Sequence, residues 1–174
     1  IEVEAKAAGV TAFCSKPMFM SDLRETLMSA LGQKQTDAAQ ELLPPKDADF
    51  KGRQILLVED NELNREIATE IIGMTGVTID IAENGKIAVE KVMEAPEKWY
   101  DLIFMDIQMP IMNGYEATAA IRALTGSRGK VPIIAMTANA FAEDVQLAKN
   151  TGMNEHIAKP LDLNKLNDVL KRWL

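Results

Sequence analysis

From Gly52 onward, short runs of aliphatic and β-branched residues alternate five times with amphipathic stretches of helical length. Alternation this strict forces right-handed crossovers between parallel strands, and so a sheet covered by helices on both faces. The expected strands are Gln54–Val58, Thr78–Ala82, a run from Leu102 into Asp106, Val131–Met136 with Thr137 at its end, and Glu155–Ala158. Local signals bound the helices between them. The first gathers Leu63, Ile67, Ile71 and Met74 on one apolar face, with Gly76 just past its end. Asn84-Gly85 opens the second, which carries Ile87, Val89, Val92 and Met93 and stops before Pro96. Asn113-Gly114 opens the third, with Ala117, Ala120, Ile121 and Leu124 as its inner face. A Gly-Ser-Arg-Gly-Lys loop precedes the fourth strand. The fourth helix runs from about Phe141 to Thr151, and the last sets Leu163, Leu166, Leu170 and Trp173 at helical spacing.

Leu102-Ile103-Phe104-Met105 runs straight into Asp106, with Met109-Pro110 close behind. So short an apolar run, followed by a proline, reads as a buried parallel strand. Asp106 then lies at the strand's carboxyl end, the edge where open α/β sheets hold their ligands. Glu59-Asp60, Thr137 and Lys159 are also strand-end positions, so all of them should meet along one edge. Taken singly they are bland: a solvated acid pair, a strand-end hydroxyl, a surface lysine. Their convergence is what points to a site.

Bulk properties exclude several classes. The 174 residues carry 19 Lys and Arg against 26 Asp and Glu, a net charge of -7 that argues against a general nucleic-acid or anionic-membrane surface. With one cysteine, Cys14, there is no internal disulfide framework, and with one histidine, His156, no multi-histidine zinc site. Cys14 reads as a small buried hydrophobe, and Met105, Met109, Met112, Met136 and Met153 as core and loop filler. No apolar run is long enough to span a bilayer and no signal peptide is visible. The chain starts at Ile1, in mid-element, and is expected to be a piece of a longer polypeptide facing the cytoplasm, whose parent could be membrane-anchored.

Carboxylates brought together without histidine or thiol ligands select a hard, oxygen-preferring cation, Mg²⁺ or Mn²⁺. Such an ion usually shares its coordination with a phosphate. A lysine and a threonine hydroxyl beside it would hold the remaining phosphoryl oxygens. A carboxylate there can itself be the nucleophile, forming an aspartyl-phosphate.

Four segments carry a resemblance: Leu56-Leu57-Val58-Glu59-Asp60-Asn61, Met105-Asp106-Ile107-Gln108-Met109-Pro110-Ile111-Met112-Asn113-Gly114, Met136-Thr137-Ala138-Asn139-Ala140 and Ile157-Ala158-Lys159-Pro160. Together, over residues 53 to 174, they resemble the receiver domain of two-component response regulators, and most nearly the C-terminal receivers of hybrid sensor histidine kinases. The resemblance implies a flavodoxin-like, doubly wound five-stranded parallel sheet of order 2-1-3-4-5 with five helices. It implies that Asp106 accepts a phosphoryl group from a phosphohistidine on a histidine kinase or a histidine phosphotransfer domain. Asp60, Asp106 and the Gln108 backbone carbonyl would hold Mg²⁺ (or Mn²⁺), with Glu59 acting largely through water. Lys159 and Thr137 would contact the phosphoryl oxygens, Gln108 and Asn139 would tune dephosphorylation, and Lys159-Pro160 would be cis. Such a domain catalyses its own phosphorylation and dephosphorylation. The chain shows no kinase ATP site, and any kinase activity would belong to the parent polypeptide. Two departures stand out. Glu59 replaces the aspartate of many stand-alone receivers. His156 occupies the place of the Tyr or Phe that swings inward when Thr137 moves, where it is either a pH-responsive switch or an ordinary half-exposed edge-strand residue.

Residues 6 to 17 match 149 to 160 without a gap, aligning Lys16-Pro17 with Lys159-Pro160. Residues 1–31 therefore read as the helix–strand–helix tail of a preceding receiver, 32–51 as a linker containing Pro44-Pro45, and 52–174 as the receiver. Robbed of its neighbouring strands, the tail is expected to dock on another surface or to mediate homodimerisation, the alternative being no role. The rival to the phospho-switch is a phosphorylation-independent interaction module within a hybrid histidine kinase. It is disfavoured because no acidic or phosphate-contacting position is missing. A flavodoxin-like cofactor binder is rejected because Glu59-Asp60 would repel its phosphate. An aspartyl phosphatase would want an acid where Gln108 stands.

Overall fold

The computed structural model describes residues 50–138 and 142–174. The expected N-terminal tail, almost all of the linker, the dimerisation role of residues 1–31, Asn139 and the Phe141 start of the fourth helix lie outside the described residues. Within them, β1 (Gln54–Val58), α1 (Glu62–Gly73), β2 (Thr78–Ala82), α2 (Gly85–Glu94), β3 (Leu102–Asp106), α3 (Gly114–Arg122), β4 (Ile133–Thr137), α4 (Ala142–Thr151), β5 (Glu155–Ala158) and α5 (Leu163–Trp173) follow in order. The strands form one sheet in the order β2-β1-β3-β4-β5, every pair parallel.

Alternation along each strand divides the core in two. Leu56, Val58, Ile103, Met105, Ile133 and Ala135 pack with Ala88 and Val92 of α2, Ala117 and Ile121 of α3, and Ala148 of α4. Ile55, Leu57, Leu102, Phe104, Ile134 and Met136 pack with Ala68 and Ile72 of α1 and Leu166, Val169 and Leu170 of α5, and Phe50 already leans on this cluster. Central β3 is buried along its whole length. Removing a side chain such as Phe104 from it would cost about 3–5 kcal/mol. The expected methionine filler holds for Met105, Met136, Met153 and Met109, all buried.

Helix starts follow the capping signals. Asn61, Asn84, Asn113 and Asp162 each accept a backbone N–H from the first turn, and Asn113 forms a reciprocal capping box with Glu116. Gly76 takes the left-handed conformation (φ 86°) that ends α1.

Two expectations need correction. Of the expected apolar face of α1, Leu63, Ile67, Ile71 and Met74, only Ile71 packs against the core: Leu63 is 64% exposed, Ile67 46% and Met74 45%, while Ala68 and Ile72 are buried. The helix carries two apolar stripes, and its rotation is set at its N-terminus. There Asn61 caps it and Asn64 and Arg65 reach back to the preceding loop, turning the stripe that continues through Ala68 and Ile72 inward. Secondly, β4 begins at Ile133 rather than Val131 and includes Thr137. Arg128–Lys130 form a 3₁₀ turn just before it. Pro132 has no N–H for the ladder, so it enters only as an acceptor, from Ile103 N at 2.8 Å.

Candidate active site

The carboxyl ends of β1, β3, β4 and β5 deliver the expected residues to one edge. Glu59 follows β1 directly, its N–H donating to Ala82 O at 3.0 Å. Its side chain is almost wholly buried, at 1% exposure. Asp106, the last residue of β3, is 6% exposed. Lys159 follows β5 with its N–H on Thr137 O at 2.8 Å, which joins the ends of β4 and β5. From there the ammonium donates to Glu59 Oε2 at 2.5 Å and to Asp106 Oδ2 at 2.8 Å. The Lys159-Pro160 peptide is cis. Carboxylate oxygens of Glu59, Asp60 and Asp106 all lie within 4.8 Å of one another.

Burial is the largest influence on the Asp106 carboxyl and pushes its pKa up. The Lys159 ammonium opposes that rise without cancelling it, and the charge on Glu59 adds to it. For Lys159 burial acts downward, but the bonds to Asp106 and Glu59 outweigh it and hold the amine above its ordinary range. Three crowded carboxylates thus face one ammonium. An oxygen-only donor set with surplus negative charge fits a hard divalent cation of the Mg²⁺ kind.

The loop after Asp106 is tightly made. Gln108 N–H donates to Asp106 Oδ1 at 3.3 Å, so the residue two past the aspartate fixes the carboxylate through its backbone. Gly114 N–H donates to Ile107 O at 3.0 Å, and a Cβ at Gly114 would sit 2.2 Å from Asp106 O. The close approach of α3 to the aspartate therefore requires glycine. Ile111 holds a positive φ of 71° and is 79% exposed, an uncommon conformation for a β-branched residue.

The response regulator receiver domain model matches residues 55–171. This chain belongs to the receiver family. The receiver is 38% identical over 122 residues to two-component response regulator ORR41 of Oryza sativa subsp. japonica, covering 69% of this chain and 93% of that protein. It is 37% identical over 134 residues to hybrid signal transduction histidine kinase G of Dictyostelium discoideum, covering 76% of this chain and 4% of that kinase. The chain spans only 4–7% of the length of the four Dictyostelium hybrid kinases it matches. Among solved structures it is similar to the receiver domain of sensor histidine kinase PA1611 from Pseudomonas aeruginosa, which has a magnesium ion coordinated in its active-site cleft. Identity there is 38% and the TM-score 0.63, over 70% of this chain and 97% of that one. It also matches a chain in the co-crystal of the Saccharomyces cerevisiae phosphotransfer protein Ypd1 with the receiver domain of its downstream response regulator Ssk1, at 31% identity and TM-score 0.62, over 70% of this chain and 88% of that one.

In this receiver Glu59, Asp60, Asp106 and Lys159 come together as the strand-end argument expects. Thr137 ends the neighbouring strand and is 8% exposed. His156 lies on β5 opposite Ala135, half-buried. Sequence reasoning missed Asn64, Arg65 and the close approach at Gly114. Asn64 and Arg65 directly follow the acid loop on the first turn of α1, and that proximity was the available signal. Among the described residues no helix is long and apolar enough to cross a membrane.

Proposed function

We propose that this receiver takes a phosphoryl group from a phosphohistidine onto Asp106 and changes conformation when it does. The contact of Lys159 with both Glu59 and Asp106, in an edge crowded by three carboxylates, is the observation that carries this reading. An Asp106 oxygen attacks phosphorus, the P–N bond to imidazole breaks, and the imidazole nitrogen recovers its proton from solvent. Asp60, Asp106 and the Gln108 carbonyl would hold Mg²⁺, or Mn²⁺ in its place, and Glu59 would act through water. The ion supplies charge neutralisation for the transferring group. Lys159 offsets the rest of that charge, and Thr137 donates to a phosphoryl oxygen. Gln108 and Asn139 would flank the water that later hydrolyses the acyl phosphate, while Thr137 and His156 would move together as the switch. The phosphodonor is a histidine kinase or a phosphotransfer protein. The exposed Leu63 and Ile67, on the helix that starts beside the acid loop, offer it apolar surface.

Incubation with acetyl phosphate, with and without Mg²⁺, followed by intact-mass measurement, tests the reading. One added phosphoryl group that requires both Mg²⁺ and Asp106, and is absent from Asp106→Asn, is the expected result. No added mass under either Mg²⁺ or Mn²⁺ would favour a phosphorylation-independent interaction module.

A further inference from the structure

The acid loop is gripped from behind by two consecutive residues of α1. Asn64 Nδ2 donates to Glu59 Oε1 at 3.2 Å, while Lys159 holds the other oxygen of the same carboxylate at 2.5 Å. Arg65 Nη1 donates to Glu59 O at 3.1 Å and to Asp60 O at 3.2 Å. Those carbonyls belong to the two peptide planes that flank the Asp60 Cα. One guanidinium nitrogen therefore pins the backbone on both sides of Asp60 and leaves that residue little freedom beyond its own χ angles. Arg65 is itself held: its side chain is only 16% exposed, and Nη2 lies 3.8 Å from Glu83 Oε1 on the loop after β2. Asn61 fixes the origin of both side chains, accepting from Asn64 N at 3.0 Å through Oδ1 and from Arg65 N at 2.9 Å through its carbonyl.

We infer that Asn64 and Arg65 are positioning residues for the divalent cation, setting its affinity by holding Glu59 and Asp60 in their binding arrangement before the ion arrives. The inference rests on the assignment of the acid edge as a cation site. Adjacent carboxylates repel each other and would splay on an unrestrained loop. Ordering that loop would then be charged against the binding free energy, and a preformed loop avoids the cost. Arg65 can do this because its rigid planar head aims the two N–H groups of one terminal nitrogen at both carbonyls while the other faces Glu83, and because backbone carbonyls, not the ligating carboxylates, receive its bonds.

The test is Mg²⁺ titration of the full chain by isothermal calorimetry, for wild type, Asn64→Ser, Arg65→Gln and Arg65→Lys. Removing a partner that orients a metal ligand typically lowers affinity about 10–100-fold. Each variant is expected to lose about 10-fold at least, with Arg65→Lys failing to restore wild-type affinity. In parallel, phosphorylation by acetyl phosphate should need more Mg²⁺ in the variants yet reach the wild-type rate once Mg²⁺ saturates. A merely structural role would not produce that split. Asn64 is exposed at the surface, so Asn64→Ser keeps the test open should Arg65 variants fold poorly. Unchanged affinity in Asn64→Ser and Arg65→Gln would overturn the clamp while leaving the cation site standing. Tighter binding in Arg65→Gln with wild-type behaviour in Arg65→Lys would overturn it too, showing that Arg65 acts only as a nearby positive charge. A wild-type protein that takes up no Mg²⁺ would sink the site and the clamp together.

Discussion

The two ends of the sheet treat charge in opposite ways. At the amino end, cations are spent on neutral acceptors or single partners. Arg122, half-buried, donates to Gly152 O, Gly129 O, Val131 O and Asn154 Oδ1 at 2.8–3.1 Å, joining α3 to the turn before β4 and to the end of α4. Burial draws its pKa down, with no carboxylate among those acceptors. Arg53 likewise bridges Asp101 and the Leu174 carbonyl, and Arg128 grips Ala95 O. At the carboxyl end the balance reverses: three carboxylates crowd one lysine, and burial works against ionisation of Asp106. The first arrangement fastens the fold. The second holds charge at a cost in stability, which a divalent cation would relieve.

Removing Lys159, whose ammonium bonds the Glu59 and Asp106 carboxylates, should show the difference most sharply. Lys159→Met leaves Glu59 and Asp106 buried and unopposed, so chemical denaturation without divalent cation should register a loss of about 3–5 kcal/mol. Mg²⁺ should recover part of it, because the ion supplies the missing charge. Arg122→Met strands several carbonyls and Asn154 at the other end. It should lower stability by roughly 2–3 kcal/mol, with no recovery from Mg²⁺ and with phosphorylation by acetyl phosphate intact in the folded protein.

A third contrast is carried by Asp80, which receives Lys91 Nζ and Tyr100 Oη at 2.6 Å each. Burial would raise its pKa, but the bonds from Lys91 and Tyr100 together win and hold it below the ordinary value of 3.8. Its contribution is present above that value and is lost as pH falls through the lower folded one. Since the pair is about one-third exposed, Asp80→Asn should cost no more than about 1 kcal/mol at pH 7 and nothing in strong acid, as urea titrations at both pH values would show. Asp106 has the opposite sign. Its folded pKa is raised, so its contribution is fully present below 3.8 and disappears as pH climbs through the folded value.

The parallel sheet and the acid edge were legible in sequence for one reason: both follow from strand periodicity and strand ends. Leu102 to Met105 are apolar without interruption, which marks β3 as central, and Asp106 closes the run. Rotation about a helix axis is a weaker signal. On α1, Leu63-Ile67-Ile71-Met74 and Ala68-Ile72 are both plausible stripes, and the choice is made by Asn64 and Arg65 bonding to a loop that periodicity does not see. Pro132 and the 3₁₀ turn before it shorten β4 in a way its apolar run conceals. Arg122 reads as an ordinary surface residue, because its acceptors are backbone carbonyls brought together only by the fold.

The central claim, that the carboxyl edge carries electrostatic strain which a cation relieves, is tested by the melting temperatures of wild type and Asp106→Asn with and without Mg²⁺ at pH 7. Without the ion, Asp106→Asn should melt higher, by roughly 3–6 °C if about 1 kcal/mol is recovered in a domain of this size. Saturating Mg²⁺ should raise wild type more than the variant, since a ligand at 100 times its Kd adds about 2.7 kcal/mol. An Asp106→Asn protein that melts below wild type without divalent cation, and responds equally to Mg²⁺, would contradict the account.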